Sequence, residues 1–126
     1  AGKNVLCEKP VTMTSADLEE LIELAKHSKG VFTVDQNRRT NKDFIAMRRG
    51  VESGKIGKPY VIESRVEGSR GMPGGWRTEK ALGGGMMLDW GVHLIDQLCI
   101  WLTKKSCRYI ARCSTCIMTR LRIISE

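Results

Sequence analysis

The segment GGGMMLDWGVHLIDQL, residues 83–98, decides how the rest of the chain is interpreted. After its three glycines the segment is apolar on nearly every side, which is typical of a helix buried inside a domain. It nevertheless contains three ionisable residues, Asp89, His93 and Asp96, at the spacing i, i+4, i+7. With 3.6 residues per turn these side chains fall on one narrow stripe. We therefore predict a buried α-helix that carries a line of titratable groups.

Two interpretations of this stripe are open. Buried carboxylates are costly unless they are paired or used, and titratable groups clustered in apolar surroundings are common in active sites. A hydrogen-bonded polar seam between helices explains the same residues equally well. The residue types alone do not separate the two.

The net charge of +7 is distributed unevenly along the 126 residues. Residues 1–102 contribute +2, whereas residues 103–126 contribute +5. The excess of basic residues therefore lies mainly in a short tail. It does not indicate a nucleic-acid-binding surface over the whole protein. No apolar run approaches the roughly 20 residues of a membrane span. We predict neither a nucleic-acid nor a membrane partner.

The cysteines indicate a reducing compartment and no metal. Their number, five, is odd, and no secretion signal precedes them, so we expect reduced thiols in a cytoplasmic protein. Cys113-x-x-Cys116 is one half of a possible zinc site. A tetrahedral structural zinc needs four ligands, and no second pair completes the set. Because the chain starts without a methionine, we also expect an internal fragment.

Near its start the chain has the pattern strand–helix–strand. Residues 4–7 and 31–34 are short apolar runs typical of buried strands. Between them Thr14 and Asp17 form a capping-box pattern that predicts the start of a helix, and Gly30 suits the left-handed position after its end. Such a unit of about 30 residues implies parallel strands joined by a right-handed crossover.

Polar residues follow both of these strands. Glu8-Lys9-Pro10 comes after the first strand, and Gln36-Asn37-Arg38-Arg39 comes after the second. In open parallel sheets, ligands gather at the carboxyl ends of the strands. The sequence therefore predicts a ligand site at this edge.

The second half of the chain begins with a predicted helix over about residues 41–53. Residues 60–67 alternate as a strand with one solvated face. A loop over residues 68–85 follows, with seven glycines, and long loops of this kind are often functional or mobile. Its pair Trp76-Arg77 either covers a ligand or anchors the loop, and we expect glycines 83–85 to approach another segment closely. We find no strand or helix pattern in residues 103–126 and expect them not to belong to the fold.

In chain order, four motifs resemble one protein family. They are Cys7-Glu8-Lys9-Pro10, the strand ending in Asn37-Arg38-Arg39, Trp76-Arg77, and Gly83-Gly84-Gly85-x-x-x-Asp89-x-Gly91-x-His93-x-x-Asp96. The family is that of glucose–fructose oxidoreductase and inositol dehydrogenase (Gfo/Idh/MocA). The Glu-Lys-Pro tripeptide alone is a weak signal, but together with the glycine-led helix some 80 residues later it is specific. The resemblance covers about residues 2–102.

This resemblance implies an α/β fold, with α+β character in its second part. Residues 1–37 would be the C-terminal part of an NAD(P)-binding Rossmann domain with a parallel sheet. Residues 38–102 would begin a substrate domain with an open, mainly antiparallel sheet, and residues 103–126 would be an atypical basic tail with cysteines. Both domains would be incomplete, since the family's glycine-rich phosphate-binding turn would precede residue 1, and we therefore expect this fragment alone to be inactive. The full-length parent would be a homo-oligomer.

The resemblance also implies the chemistry. Hydride would move between NAD or NADP and a sugar, polyol or related secondary alcohol. The implied catalytic residues are Lys9 at the reacting hydroxyl, His93 as general acid/base, and Asp89 holding the substrate and the imidazole. The implied cofactor contacts are Glu8, Lys9, Pro10 and Arg38. The implied substrate contacts are Asn37, Trp76, Arg77, Asp89 and Asp96, with Asp96 also supporting His93.

Two other functions remain open. The first is a non-catalytic binding or regulatory module on the same scaffold, although the sequence keeps all three candidate catalytic residues. The second is a small basic binder of nucleic acid or membrane surfaces that acts through residues 104–122, for which charge is the only support.

Overall fold

A computed structural model describes residues 2–59, 61–68, 71, 73–101, 108–114 and 118–124. The chain divides into two compact units, residues 1–36 and residues 37–126. Tyr60, Cys107 and Cys116 lie outside the described residues, so the first position of the predicted strand 60–67 and one half of the possible zinc pair do as well.

The first unit consists of β1 (Val5–Cys7), α1 (Ser15–Lys26) and β2 (Phe32–Val34). β1 and β2 pair in parallel, with Val5 opposite Phe32 and Cys7 opposite Val34. The parallel crossover predicted from the sequence is confirmed. The ladder continues past the strands, because the Asp35 N–H donates to the Cys7 carbonyl at 2.9 Å. Residues 8–10 and 35–36 therefore leave from the same edge of the pair.

α1 begins as its capping box predicts. The Asp17 N–H donates to Thr14 Oγ1 at 3.2 Å, and the Thr14 hydroxyl donates to Asp17 Oδ2 at 2.7 Å. These bonds satisfy one of the backbone donors that the first turn of a helix leaves unpaired. The expectation for Gly30 is wrong, since its φ is not positive. Glycine is needed there because an added Cβ would lie 2.1 Å from the Lys3 carbonyl oxygen.

The second unit contains two helices and a sheet. Its elements are α2 (Lys42–Glu52), β3 (Val61–Glu67), α3 (Val92–Trp101), β4 (Arg108–Ser114) and β5 (Met118–Ile124). The three strands are antiparallel in the order β3–β5–β4. The prediction that residues 103–126 contain no strand is wrong at β4 and β5. β5 pairs with both β3 and β4, and its Leu121 and Ile123 alternate with Arg120 and Arg122, a strand pattern that the sequence analysis did not recognise.

The buried helix is not the uniform α-helix that the spacing predicts. Met87–Gly91 forms a π-helical turn, in which the Val92 N–H donates to the Met87 carbonyl five residues earlier. At Gly91 an added Cβ would lie 3.1 Å from Met87 Sδ, so the methionine side chain packs closely over this glycine. Single π turns inside helices are frequent at functional sites.

α3 packs against one face of β3 through a small core. Leu94 and Leu98 are buried, and Ile62 and Val66 of β3 pack against them. Along β3 the exposed side chains alternate with half-buried ones, as the sequence predicts for a strand with one solvated face. This packing holds the first turns of α3 over the sheet. In the described part of the chain, no helix is long and apolar enough to cross a bilayer.

Truncating Leu98 to alanine tests this core. Leu98 is 3% exposed, so Leu98→Ala loses apolar burial and leaves a cavity, and the expected loss is about 2–4 kcal/mol in the free energy of unfolding. Ile95→Ala on the same helix is the control, because Ile95 is 37% exposed. Urea unfolding measures both, and equal losses for the two variants would contradict this core.

Candidate functional site

Asp89 and His93 are buried in the second unit, each with 4% of its surface exposed. Asp89 lies on the π turn, and His93 lies on the first turn of α3. The Arg77 Nε donates to Asp89 Oδ2 at 2.7 Å. Removing a carboxylate from water is unfavourable unless a cation and hydrogen bonds compensate it. Arg77 therefore stabilises the ionised form of Asp89 inside the domain.

The glycine-rich loop places Arg77 in this position. It folds into two 3₁₀ turns, Gly75–Thr78 and Lys80–Leu82. The Gly85 N–H donates to the Arg77 carbonyl at 2.8 Å. At Gly84 an added Cβ would lie 2.7 Å from the Arg77 carbonyl oxygen, which shows how closely the two segments approach. The close approach expected for residues 83–85 is thus made to their own preceding loop.

The indole ring of Trp76 also contacts the Arg77 guanidinium. The guanidinium carbon of Arg77 lies 4.8 Å from the centroid of the Trp76 ring, which is a cation–π contact. Arg77 therefore contacts both the indole and the Asp89 carboxylate. This geometry favours the interpretation of Trp76-Arg77 as the anchor of the loop.

His93 lines a cavity of about 270 Å³ within the second unit. Residues of α2, β3 and α3 surround it, and Arg38, Trp90 and Gln97 share its wall with the imidazole. The Trp90 and His93 rings meet edge to face, with centroids 6.1 Å apart, and the guanidinium carbon of Arg38 lies 4.6 Å from the Trp90 centroid. The volume of this cavity is close to the lower end of the range for small-molecule pockets. A buried imidazole beside such a cavity can exchange a proton with a bound hydroxyl group.

Asp96 is bound by an arginine that the sequence analysis did not select. The Arg39 Nε donates to Asp96 Oδ2 at 2.7 Å, and Nη2 donates to Oδ1 at 2.5 Å. The hydrogen bonds to Asp96 raise the pKa of the Arg39 guanidinium above its ordinary value, and the negative charge of Asp96 acts in the same direction. The sequence signal was available, since Arg39 directly follows Arg38 in the same motif.

The predicted site residues fall in both units. Glu8, Lys9 and Pro10 follow β1 in the first unit, and the Lys9–Pro10 peptide bond is cis. The second unit brings together the loop pair Trp76-Arg77 with Asp89, and Arg38 with Trp90 beside His93. Asn37 begins the 3₁₀ turn Asn37–Thr40. That Lys9 joins His93 in one site stays a prediction.

No metal site is formed by the residues that the structure describes. Within those ranges, no group of three His, Cys, Asp or Glu side chains is arranged to hold an ion. The carboxylates discussed above have arginine partners instead, Arg77 for Asp89 and Arg39 for Asp96.

Adding one methyl group at Gly84 tests how the loop positions Arg77. In Gly84→Ala the Cβ meets the carbonyl oxygens of Trp76, Arg77 and Glu79 at 2.7–2.8 Å, so the loop has to move. We expect a loss of about 1–3 kcal/mol, as overpacking against rigid backbone typically costs. Gly74→Ala is the control, since nothing lies within 4 Å of its Cβ position and its φ is −68°. Urea unfolding with equal midpoints for the two variants would contradict this role.

Comparison with known proteins identifies the family of each part of the chain. Residues 44–119 match the model of the GFO/IDH/MocA C-terminal domain, and residues 1–36 match that of an oxidoreductase family with an NAD-binding Rossmann fold. The latter match identifies NAD or NADP as the cofactor of the family.

The matched segments span most of this chain but only 27–34% of the relatives' own length. An uncharacterized oxidoreductase of Schizosaccharomyces pombe, C26H5.09c, is 42% identical over 98 residues, which are 77% of this chain and 27% of that protein. The 1,5-anhydro-D-fructose reductase of Ensifer adhaerens is 39% identical over 102 residues, 78% of this chain and 30% of that protein. The crystal structure of an NAD-binding protein from Listeria innocua superimposes with a TM-score of 0.82 at 47% identity, covering 90% of this chain and 34% of that one. The chain belongs to the Gfo/Idh/MocA family of oxidoreductases.

Proposed function

We propose that the protein is an NAD(P)-dependent dehydrogenase that moves a hydride between the nicotinamide and a secondary alcohol of a sugar or polyol. The observation that carries this proposal is the burial of His93 beside a cavity, one turn from a carboxylate that accepts a hydrogen bond from Arg77. Membership of the oxidoreductase family supports it. The name of the matched sugar reductase supports the substrate class.

His93 is the general acid/base of this proposal. Oxidising a secondary alcohol removes the hydroxyl proton while hydride leaves the carbon. The imidazole can accept this proton, and in the reverse direction the imidazolium can return it. The ionised Asp89 orients the imidazole and stabilises the imidazolium that forms. Arg77 contributes indirectly, by holding Asp89 in place.

Lys9 stabilises the alkoxide in the same step. As the hydroxyl proton is removed, negative charge develops on the alcohol oxygen. A positively charged ammonium group close to this oxygen favours the transition state over the neutral alcohol. Asn37 and Asp89 are the proposed direct substrate contacts. Trp76, Arg77 and Asp96, which the resemblance also implies, act in this proposal by holding the loop, Asp89 and α3 in place.

The cofactor residues of this proposal are Glu8, Lys9, Pro10 and Arg38. When bound, the nicotinamide supplies the hydride acceptor, and that chemistry is the cofactor's own. The parallel pairing of β1 with β2 fits a dinucleotide, because residues 8–10 and 35–36 leave from the same edge. Ligands of parallel sheets bind at this edge.

Replacing His93 tests the proposal. In His93→Asn of a full-length protein that contains this chain the proton acceptor is lost, so the rate of nicotinamide reduction with the best sugar or polyol of a panel falls about 10²–10⁴-fold. Lys9→Met lowers the same rate constant, because alkoxide stabilisation is lost. The control is His27→Asn, since His27 is the other histidine of the chain and is exposed after α1.

Two results would overturn the proposal. The first is a His93→Asn protein whose rate constant equals that of His27→Asn. The second is a parent protein that binds NAD(P) yet reduces none with any alcohol of the panel, which would indicate a binding or regulatory module.

A further inference from the structure

The 3₁₀ turn Asn37–Thr40 is attached to α3 by two successive residues of each segment. Arg39 binds both carboxylate oxygens of Asp96, at 2.7 and 2.5 Å. Next to it, Gln97 Nε2 donates to the Arg38 carbonyl at 3.0 Å. Both contacts lie within the second unit. Together they fix one face of α3 to the segment that opens this unit.

The Arg39–Asp96 pair differs from an ordinary surface ion pair. The Asp96 side chain is 14% exposed and the Arg39 side chain is 54% exposed, and the guanidinium donates to both carboxylate oxygens. Such bidentate pairs define a geometry as well as an attraction. The Arg48–Glu52 pair on α2 is a useful contrast, because its side chains are 51% and 57% exposed. Ion pairs as exposed as this one contribute little to the free energy of unfolding.

Asp96 lies three residues after His93, so the two residues occupy the same face of α3. A π turn precedes α3, and the backbone bonding changes there from five residues to four. With side chains included, a helix is about 10–12 Å wide, so a rotation of roughly 20° moves an imidazole by about 2 Å. A misplacement of about 1 Å can cost 10²-fold in rate.

We infer that Arg39 is a positioning residue for His93. Through Asp96 it fixes the rotation of α3 about its axis, and thereby the place of the imidazole at the cavity. The Arg38 guanidinium acts in the same sense, because it stacks on Trp90, which meets the His93 ring edge to face. This inference rests on the proposed dehydrogenase function for its catalytic consequence, but not for its structural one.

The structural consequence is measured first, without any turnover. Diethyl pyrocarbonate modifies accessible imidazoles, and peptide mass spectrometry reads His93 and His27 separately. In Arg39→Ala we expect the modification rate at buried His93 to rise at least about tenfold relative to exposed His27, since local opening of α3 becomes easier. Arg48→Ala is the matched control and leaves the ratio unchanged. An unchanged ratio in Arg39→Ala would overturn the inference.

Kinetics then test the catalytic consequence. We expect kcat of Arg39→Ala to fall about 10–100-fold while KM for NAD(P) stays within about twofold, because hydride-transfer geometry is lost and cofactor contacts are kept. Arg39→Lys restores part of kcat, because one charged donor remains, and Arg48→Ala keeps the parent value. A kcat in Arg39→Ala equal to that of Arg48→Ala would overturn the role of Arg39. A parent without dehydrogenase activity, together with the rise in His93 modification, would overturn the proposed function alone.

Discussion

The structure of the second unit depends on keeping the charge of Asp89 inside an apolar helix. Arg77 meets this constraint by donating to the carboxylate at 2.7 Å, and it can do so only because the loop before the helix folds back onto Gly84. One turn beyond His93, Arg39 binds Asp96 through two hydrogen bonds. The helix segment that carries the imidazole thus has an arginine–carboxylate pair on each side of it.

These two arginine partners offset the cost of removing the carboxylates of the polar stripe from water. Leaving one partner of a buried ion pair alone costs several kcal/mol, whereas two satisfied partners restrict each other's geometry. The stripe is therefore in part the polar seam that the sequence analysis left open. His93 differs from the two carboxylates because it also lines a cavity, and this difference favours catalysis over a purely structural role.

Local and pairwise features could be predicted from the sequence, whereas features that depend on distant partners could not. Thr14 and Asp17 predicted the start of α1 correctly, because a capping box depends only on residues three positions apart. The burial of Asp89 and His93 followed from their apolar neighbours. The π turn around Gly91 was missed because local periodicity does not distinguish it from an α-helix. The strands β4 and β5 were missed although Leu121 and Ile123 of β5 alternate with Arg120 and Arg122. Arg39 was missed because its partner lies 57 residues away.

The most direct test of His93 as the general acid/base is a crystal structure of the protein with NAD(P) and an alcohol substrate bound. We expect an imidazole nitrogen of His93 within about 3 Å of the reacting hydroxyl oxygen, which is the reach of a proton-transferring hydrogen bond. A bound alcohol whose oxygen makes no contact with the imidazole would contradict this role.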